Sequence, residues 1–161
     1  MKFERFEDLP VWKASITMSV RIFKMTRRKR FSVLGDLADQ IQRAGLSVSN
    51  NIAEGFERGT TQELITFLYY ARGSAGEVRS ILSVMERLEG LEDLRSETAD
   101  LKLAAESISK QIRGWTENLQ NTSIRGQRYL NDQTRSDFEE GKSRKSFKEL
   151  LQKYYQPPVS S

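Results

Sequence analysis

The stretch Arg43-Ala44-Gly45-Leu46-Ser47-Val48-Ser49-Asn50-Asn51-Ile52-Ala53-Glu54-Gly55-Phe56 decides the fold. With the residues before it, Leu34, Leu37, Ile41, Ala44 or Gly45, Val48 and Ile52 recur at spacings of three and four. Such spacing draws a narrow apolar stripe on one helix face, as in a bundle seam. A second face carries Arg43, Ser47 and Asn51 at four-residue steps, with Glu54 three residues further. Side chains so placed stack along the helix. The ladder reads either as a solvated polar face or as a contact surface between copies of the chain. Mid-helix Ser and Asn carry a propensity cost that packing or specificity commonly offsets, which favours the contact surface. Gly55 and Gly59 are expected to end this helix, and Thr60-Thr61-Gln62-Glu63 reads as a capping box opening the next.

Working outward, three further helices follow the same logic. Ahead of the organising stretch, Asp8 suits an N-cap with Leu9 and Pro10 in the first turn. Phe6 is expected to staple against Trp12. That first helix is predicted to bury Trp12, Ile16, Ser19 or Val20, and Phe23, and to carry Lys13, Thr17, Arg21, Lys24 and Arg28 on its far side. After the organising helix, Leu64, Leu68, Ala71, Ala75, Val78, Leu82 and Met85 alternate spacings of four and three from Thr61 to about Leu88. Gly73 and Gly76 interrupt this helix at about 1 kcal/mol each, which predicts close approach of another helix backbone. Gly90 ends it. Glu92 and Asp93 begin a last helix, with Leu94, Leu101, Ala105, Ile108, Ile112, Trp115 and Leu119 in its seam, stopping near Asn121. The fold class is therefore all-α, an antiparallel up-down-up-down four-helix bundle over residues 1–119. Residues 120–161 form a basic tail in which Phe147, Leu150, Leu151 and Tyr154 suit a short helix over 143–155.

Composition narrows the chemistry. The 161 residues include no cysteine and no histidine, so disulfides, thiolate nucleophiles, imidazole bases and the usual zinc ligands are unavailable. No paired acidic motif stands at metal spacing. The reading is of a protein with no catalytic residues, no metal and no cofactor, in which Glu54, Glu63 and Glu77 serve capping or pairing. The N-terminus is charged and no run approaches membrane-spanning length, which points to a cytoplasmic protein without membrane contact.

The net charge of +4 is unevenly placed. Residues 1–31 hold nine Lys/Arg against three Asp/Glu, residues 32–119 nine against fourteen, and residues 120–161 eight against five. Arg27, Arg28, Lys29 and Arg30 form an unbroken basic run. One or two cations complement a helix C-terminus, but four in succession repel one another, and a polyanion relieves that repulsion through counterion release. Lys13, Arg21, Lys24 and this run, with Lys142, Arg144 and Lys145 in the tail, are thus the candidate nucleic-acid contacts. Arg43, Ser47, Asn51, Glu54, Gly73 and Gly76 are the candidate contacts between copies.

Phe6-Glu7-Asp8-Leu9 with Val11-Trp12, the block Asn51-Ile52-Ala53-Glu54-Gly55-Phe56, and Glu63, Phe67-Leu68 and Ala71-x-Gly73-Ser74 carry a resemblance. Over residues 3–119 the chain resembles a small bacterial four-helix-bundle family. That family holds the proteins encoded in intervening sequences of 23S ribosomal RNA genes and the accessory variability protein (Avd) of diversity-generating retroelements. The resemblance implies a homopentameric barrel with a basic surface for RNA or RNA/DNA. In the retroelement branch it further implies association with a reverse transcriptase and template RNA in mutagenic cDNA synthesis. An oligomeric protein-interaction scaffold is the other reading.

Overall fold

A computed structural model of the protein describes residues 3–28, 31 and 35–121. Four helices follow in order: α1 Pro10–Thr26, α2 Asp36–Glu57, α3 Thr61–Met85 and α4 Arg95–Gln120. Each packs on two others around the ring, α1 on α2 and α4, and α3 on α2 and α4. This is the all-α four-helix bundle, with no β-strand among the described residues. The tail, including Lys142, Arg144, Lys145 and the expected helix over 143–155, lies outside the described residues, as do Lys29, Arg30 and Leu34.

All seven seam positions of α3 are buried, Leu64 through Met85, and α4 buries Leu101, Ala105, Ile108 and Ile112 against them. Trp115 and Leu119 cover the edge of this core. Thr98 and Thr116 are also buried; the Thr116 hydroxyl donates to the Arg113 carbonyl at 2.8 Å, so its polarity is satisfied within its own helix. Lys102 Nζ donates to Glu86 Oε2 at 2.7 Å across the α3–α4 turn.

The first helix is rotated from the sequence expectation. It buries Val11, Ser15, Met18, Ser19, Ile22, Met25 and Thr26, whereas Trp12, Ile16 and Phe23 are half-buried and Val20 is exposed. The reason lies at Gly45 of α2. Ser19 Oγ is 2.9 Å from the Gly45 carbonyl oxygen and 2.9 Å from that of Ser15. A Cβ built on Gly45 would lie 2.8 Å from Ile22 Cδ1. Small hydroxyl residues therefore face the glycine, and the bulkier aromatics flank the crossing. Gln42 Nε2 donating to Thr26 Oγ1 at 2.7 Å adds a second polar tie between the same helices.

Two boundaries also differ. Asp8 belongs to a short 3-10 turn, Phe6–Asp8, and Leu9 is the N-cap, with Pro10 at the first helical position. A residue preceding proline is held away from the α region, and Leu9 accordingly has φ −65° and ψ 123°. The staple forms as expected, with the Phe6 and Trp12 ring centroids 5.2 Å apart in an edge contact. Glu92 and Asp93 likewise sit in a 3-10 turn ahead of α4. The third helix ends at Met85 rather than Leu88, and Gly90, at φ +82°, turns the chain.

Gly55 does not end α2. The helix continues to Glu57, and Gly55 is buried against α3. A Cβ there would lie 2.7 Å from Phe67 Cβ and 3.3 Å from the Leu64 carbonyl oxygen. Thr60 caps α3, its Oγ1 accepting from the Glu63 N–H at 3.2 Å and donating to Glu63 Oε2 at 2.7 Å. Gly73 and Gly76, by contrast, meet no neighbouring atom within 4 Å of a built Cβ, so no other helix of the chain packs against them among the described residues. Gly55→Ala is expected to destabilise the fold by roughly 1–3 kcal/mol through overpacking. Gly114→Ala, in a helix with open space around it, should gain up to about 1 kcal/mol. Urea denaturation midpoints of the two variants check the contrast.

Candidate nucleic-acid interface

The basic stripe of α1 divides into two sets. Lys13, Lys24 and Arg27 are exposed and have no ion-pair partner among the described residues. Arg21 and Arg28 instead lean onto α4: an Arg21 guanidinium nitrogen is 3.7 Å from Asp100 Oδ2, and one of Arg28 is 2.8 Å from Glu97 Oε2. Glu97 and Asp100 lie one turn apart on the α4 face that meets α1. The far side of α1 is therefore partly neutralised by its neighbour.

The α2 ladder is knitted into the bundle at its centre. Asn51 Nδ2 donates to the Ser47 carbonyl at 2.8 Å and to Ser47 Oγ at 3.0 Å, and Ser74 Oγ of α3 donates to Ser47 Oγ at 3.0 Å or to its own helix at the Tyr70 carbonyl, 3.1 Å away. Glu54 pairs with Arg58 at 2.6 Å. That contact holds the Arg58 guanidinium above its ordinary pKa, first through the hydrogen bond it donates to Glu54 and further through the charges of Glu54 and Glu63. The same guanidinium sits 5.1 Å from the Phe67 ring centroid. Arg43 remains exposed and lines an open groove of about 430 Å³ between α2 and α3, with Gln40, Ser47, Glu77, Ser80 and Ile81.

A family model for the 23S rRNA-intervening sequence protein matches residues 7–114, which span most of the bundle. The chain belongs to this family. Its fold is also that of a crystal structure from Bacteroides thetaiotaomicron VPI-5482, described as a protein of unknown function from the S23 ribosomal protein family. The two share 24% sequence identity with a TM-score of 0.57, covering 66% of this chain and 97% of that one. No curated protein matches in sequence.

A family member read by charge windows alone loses one feature. Arg72, Gly76 and Arg79 of α3 and Glu106, Lys110 and Arg113 of α4 line a second groove of about 320 Å³. Four cations meet one carboxylate there, within the segment whose overall balance is acidic. Lys110 is 2.6 Å from Glu106, and Arg113 is 2.7 Å from Glu117. Glu106 is held below the usual carboxylate range by the hydrogen bond from Lys110, then by the Lys110 charge and more weakly by that of Arg79. The signal in the sequence is Arg72 and Arg79 seven apart, with Lys110 and Arg113 three apart, once α3 and α4 are taken as neighbours. Among the described residues no cluster of three or more His, Cys, Asp or Glu is placed to hold a metal ion, and no helix is long and apolar enough to cross a membrane.

The Arg28–Glu97 pair is 49% and 24% exposed at its two side chains. A double-mutant cycle on thermal or urea stability should give a coupling of no more than about 1 kcal/mol, fading at high salt. A larger, salt-insensitive coupling would show that the pair is structural rather than a surface contact.

Proposed function

We infer that this member of the 23S rRNA-intervening sequence family is a non-catalytic, cytoplasmic RNA-binding accessory that works as a homo-oligomer. The observation supporting it is the row Lys13 and Lys24 on α1 and Arg27 at its C-cap, exposed and without carboxylate partners among the described residues while Arg21 and Arg28 are engaged by α4. Unpaired cations on a rigid helix contact backbone phosphates without reading base sequence, because they present charge alone. The finer form of this reading rests on the resemblance to the retroelement accessory variability protein. In it, five copies form a barrel that associates with a reverse transcriptase and its template RNA. Gly73, with open space beside it, and Arg43 at the rim of the α2–α3 groove suit contacts between copies in that assembly.

Binding of an end-labelled RNA, followed by fluorescence anisotropy across a potassium chloride series, tests the reading. The expected result is affinity that falls steeply with salt. Combined Lys13→Glu, Lys24→Glu and Arg27→Glu replacement should lower the log–log slope by roughly 2, at about 0.7 per single-strand phosphate contact. Salt-independent binding, or none, would overturn it.

A further inference from the structure

The α3–α4 groove is built differently from the α1 face, and nothing in the reading above uses it. Its floor is Gly76, which has no neighbouring atom within 4 Å of a built Cβ. A glycine in mid-helix costs roughly 1 kcal/mol relative to alanine, and here no contact inside the described protomer offsets it. What the missing side chain leaves is depth between Arg72 and Arg79 on one wall and Lys110 and Arg113 on the other.

The cations are available. Arg72 and Arg79 have no ion pair at salt-bridge distance among the described residues. Lys110 and Arg113 are tied only to carboxylates on their own helix, with side chains 74% and 65% exposed. Exposed pairs of this kind contribute little, so an anion entering the groove can take their donors at small cost. Arg72 and Arg79 lie about 10 Å apart along the axis, at 1.5 Å per residue. That length fits about three nucleotides of a stacked strand at 3.4 Å each.

An aromatic stands at one end. Tyr69 precedes Arg72 by three residues and Gly76 by seven, which places it on the same face of α3. Its hydroxyl accepts from Gln120 Nε2 of α4 at 2.8 Å, a bond that ties the ring's end to the neighbouring helix, and the residue is 44% exposed. A positively charged groove that ends on an exposed, positioned aromatic ring is the arrangement that follows a single strand, with phosphates in the groove and a base on the ring.

We propose that the α3–α4 groove, with Arg72, Arg79, Lys110 and Arg113 as phosphate donors and Tyr69 as a stacking platform, is a second binding site for single-stranded nucleic acid, separate from the α1 face. The site deepens the RNA-binding reading and rests on it. An acidic surface of a second copy is the competing occupant, and the measurement separates the two.

The full chain is titrated with an end-labelled oligoadenylate, and each variant is checked for helicity by circular dichroism and for mass by light scattering. Arg72→Gln with Arg79→Gln is expected to weaken binding about tenfold at low salt and to lower the salt slope by roughly 1.4. Gly76→Leu keeps every cation and fills the floor, so it should weaken binding to a similar degree. Tyr69→Leu should weaken binding by about fivefold or more while leaving the salt slope unchanged, since stacking carries no counterion release. Groove variants that bind as the wild type does, while the triple α1 variant fails, would overturn the groove and leave the RNA-binding reading standing. Groove variants that change the oligomeric mass would overturn it in favour of a contact between copies. A wild-type chain that does not bind the oligonucleotide would sink both.

Discussion

Two glycines on α2 fix how the bundle closes. At Gly45 the helix admits Ser19 and Ile22 of α1, and at Gly55 it admits Leu64 and Phe67 of α3. They lie ten residues apart, nearly three turns, so α2 holds one neighbour near its middle and the other near its end. Neither contact tolerates a side chain equally. The atom facing Gly45 is the far end of a flexible isoleucine, whereas the atom facing Gly55 is Phe67 Cβ, which is fixed to the α3 backbone. The α2–α3 hairpin is therefore the more tightly determined half, and the Thr60 cap with the Arg58–Phe67 contact holds its turn.

Where side chains are large and apolar, the pattern of the sequence was enough. The α3 seam is buried at each expected position, because a heptad of Leu, Ala, Val and Met leaves one face on which those residues can leave water. The first helix was harder to read for the opposite reason. Its buried face includes Ser15, Ser19 and Thr26, whose hydroxyls bond to carbonyls three or four residues back and so enter the core without an unsatisfied group. A reading by side-chain size chooses Trp12 and Phe23 instead. Only the glycine on the partner helix shows that small residues belong at the crossing, and that is a property of two segments together.

The glycines repeat the lesson. Gly55 looks like a terminator and is a packing site; Gly73 and Gly76 look like packing sites and face open space among the described residues. Composition cannot separate these roles, since all three sit in segments of high helical pattern. What separates them is the register of the neighbouring helix, which long-range packing sets.

Charge obeys the same rule. Residues 32–119 hold more acids than bases, yet α4 presents a different charge balance to each neighbour. Glu97 and Asp100 face α1 and engage Arg21 and Arg28. Lys110 and Arg113 face α3, where Arg72 and Arg79 stand across the groove. One helix thus partly neutralises two arginines on one face and, on another, brings two cations to the groove, each paired with a carboxylate of its own helix. A balance taken along the chain averages these faces together, because a helix returns to the same side only every third or fourth residue. Taken around the bundle, exposed cations gather on a strip of α1 and again in the α3–α4 groove.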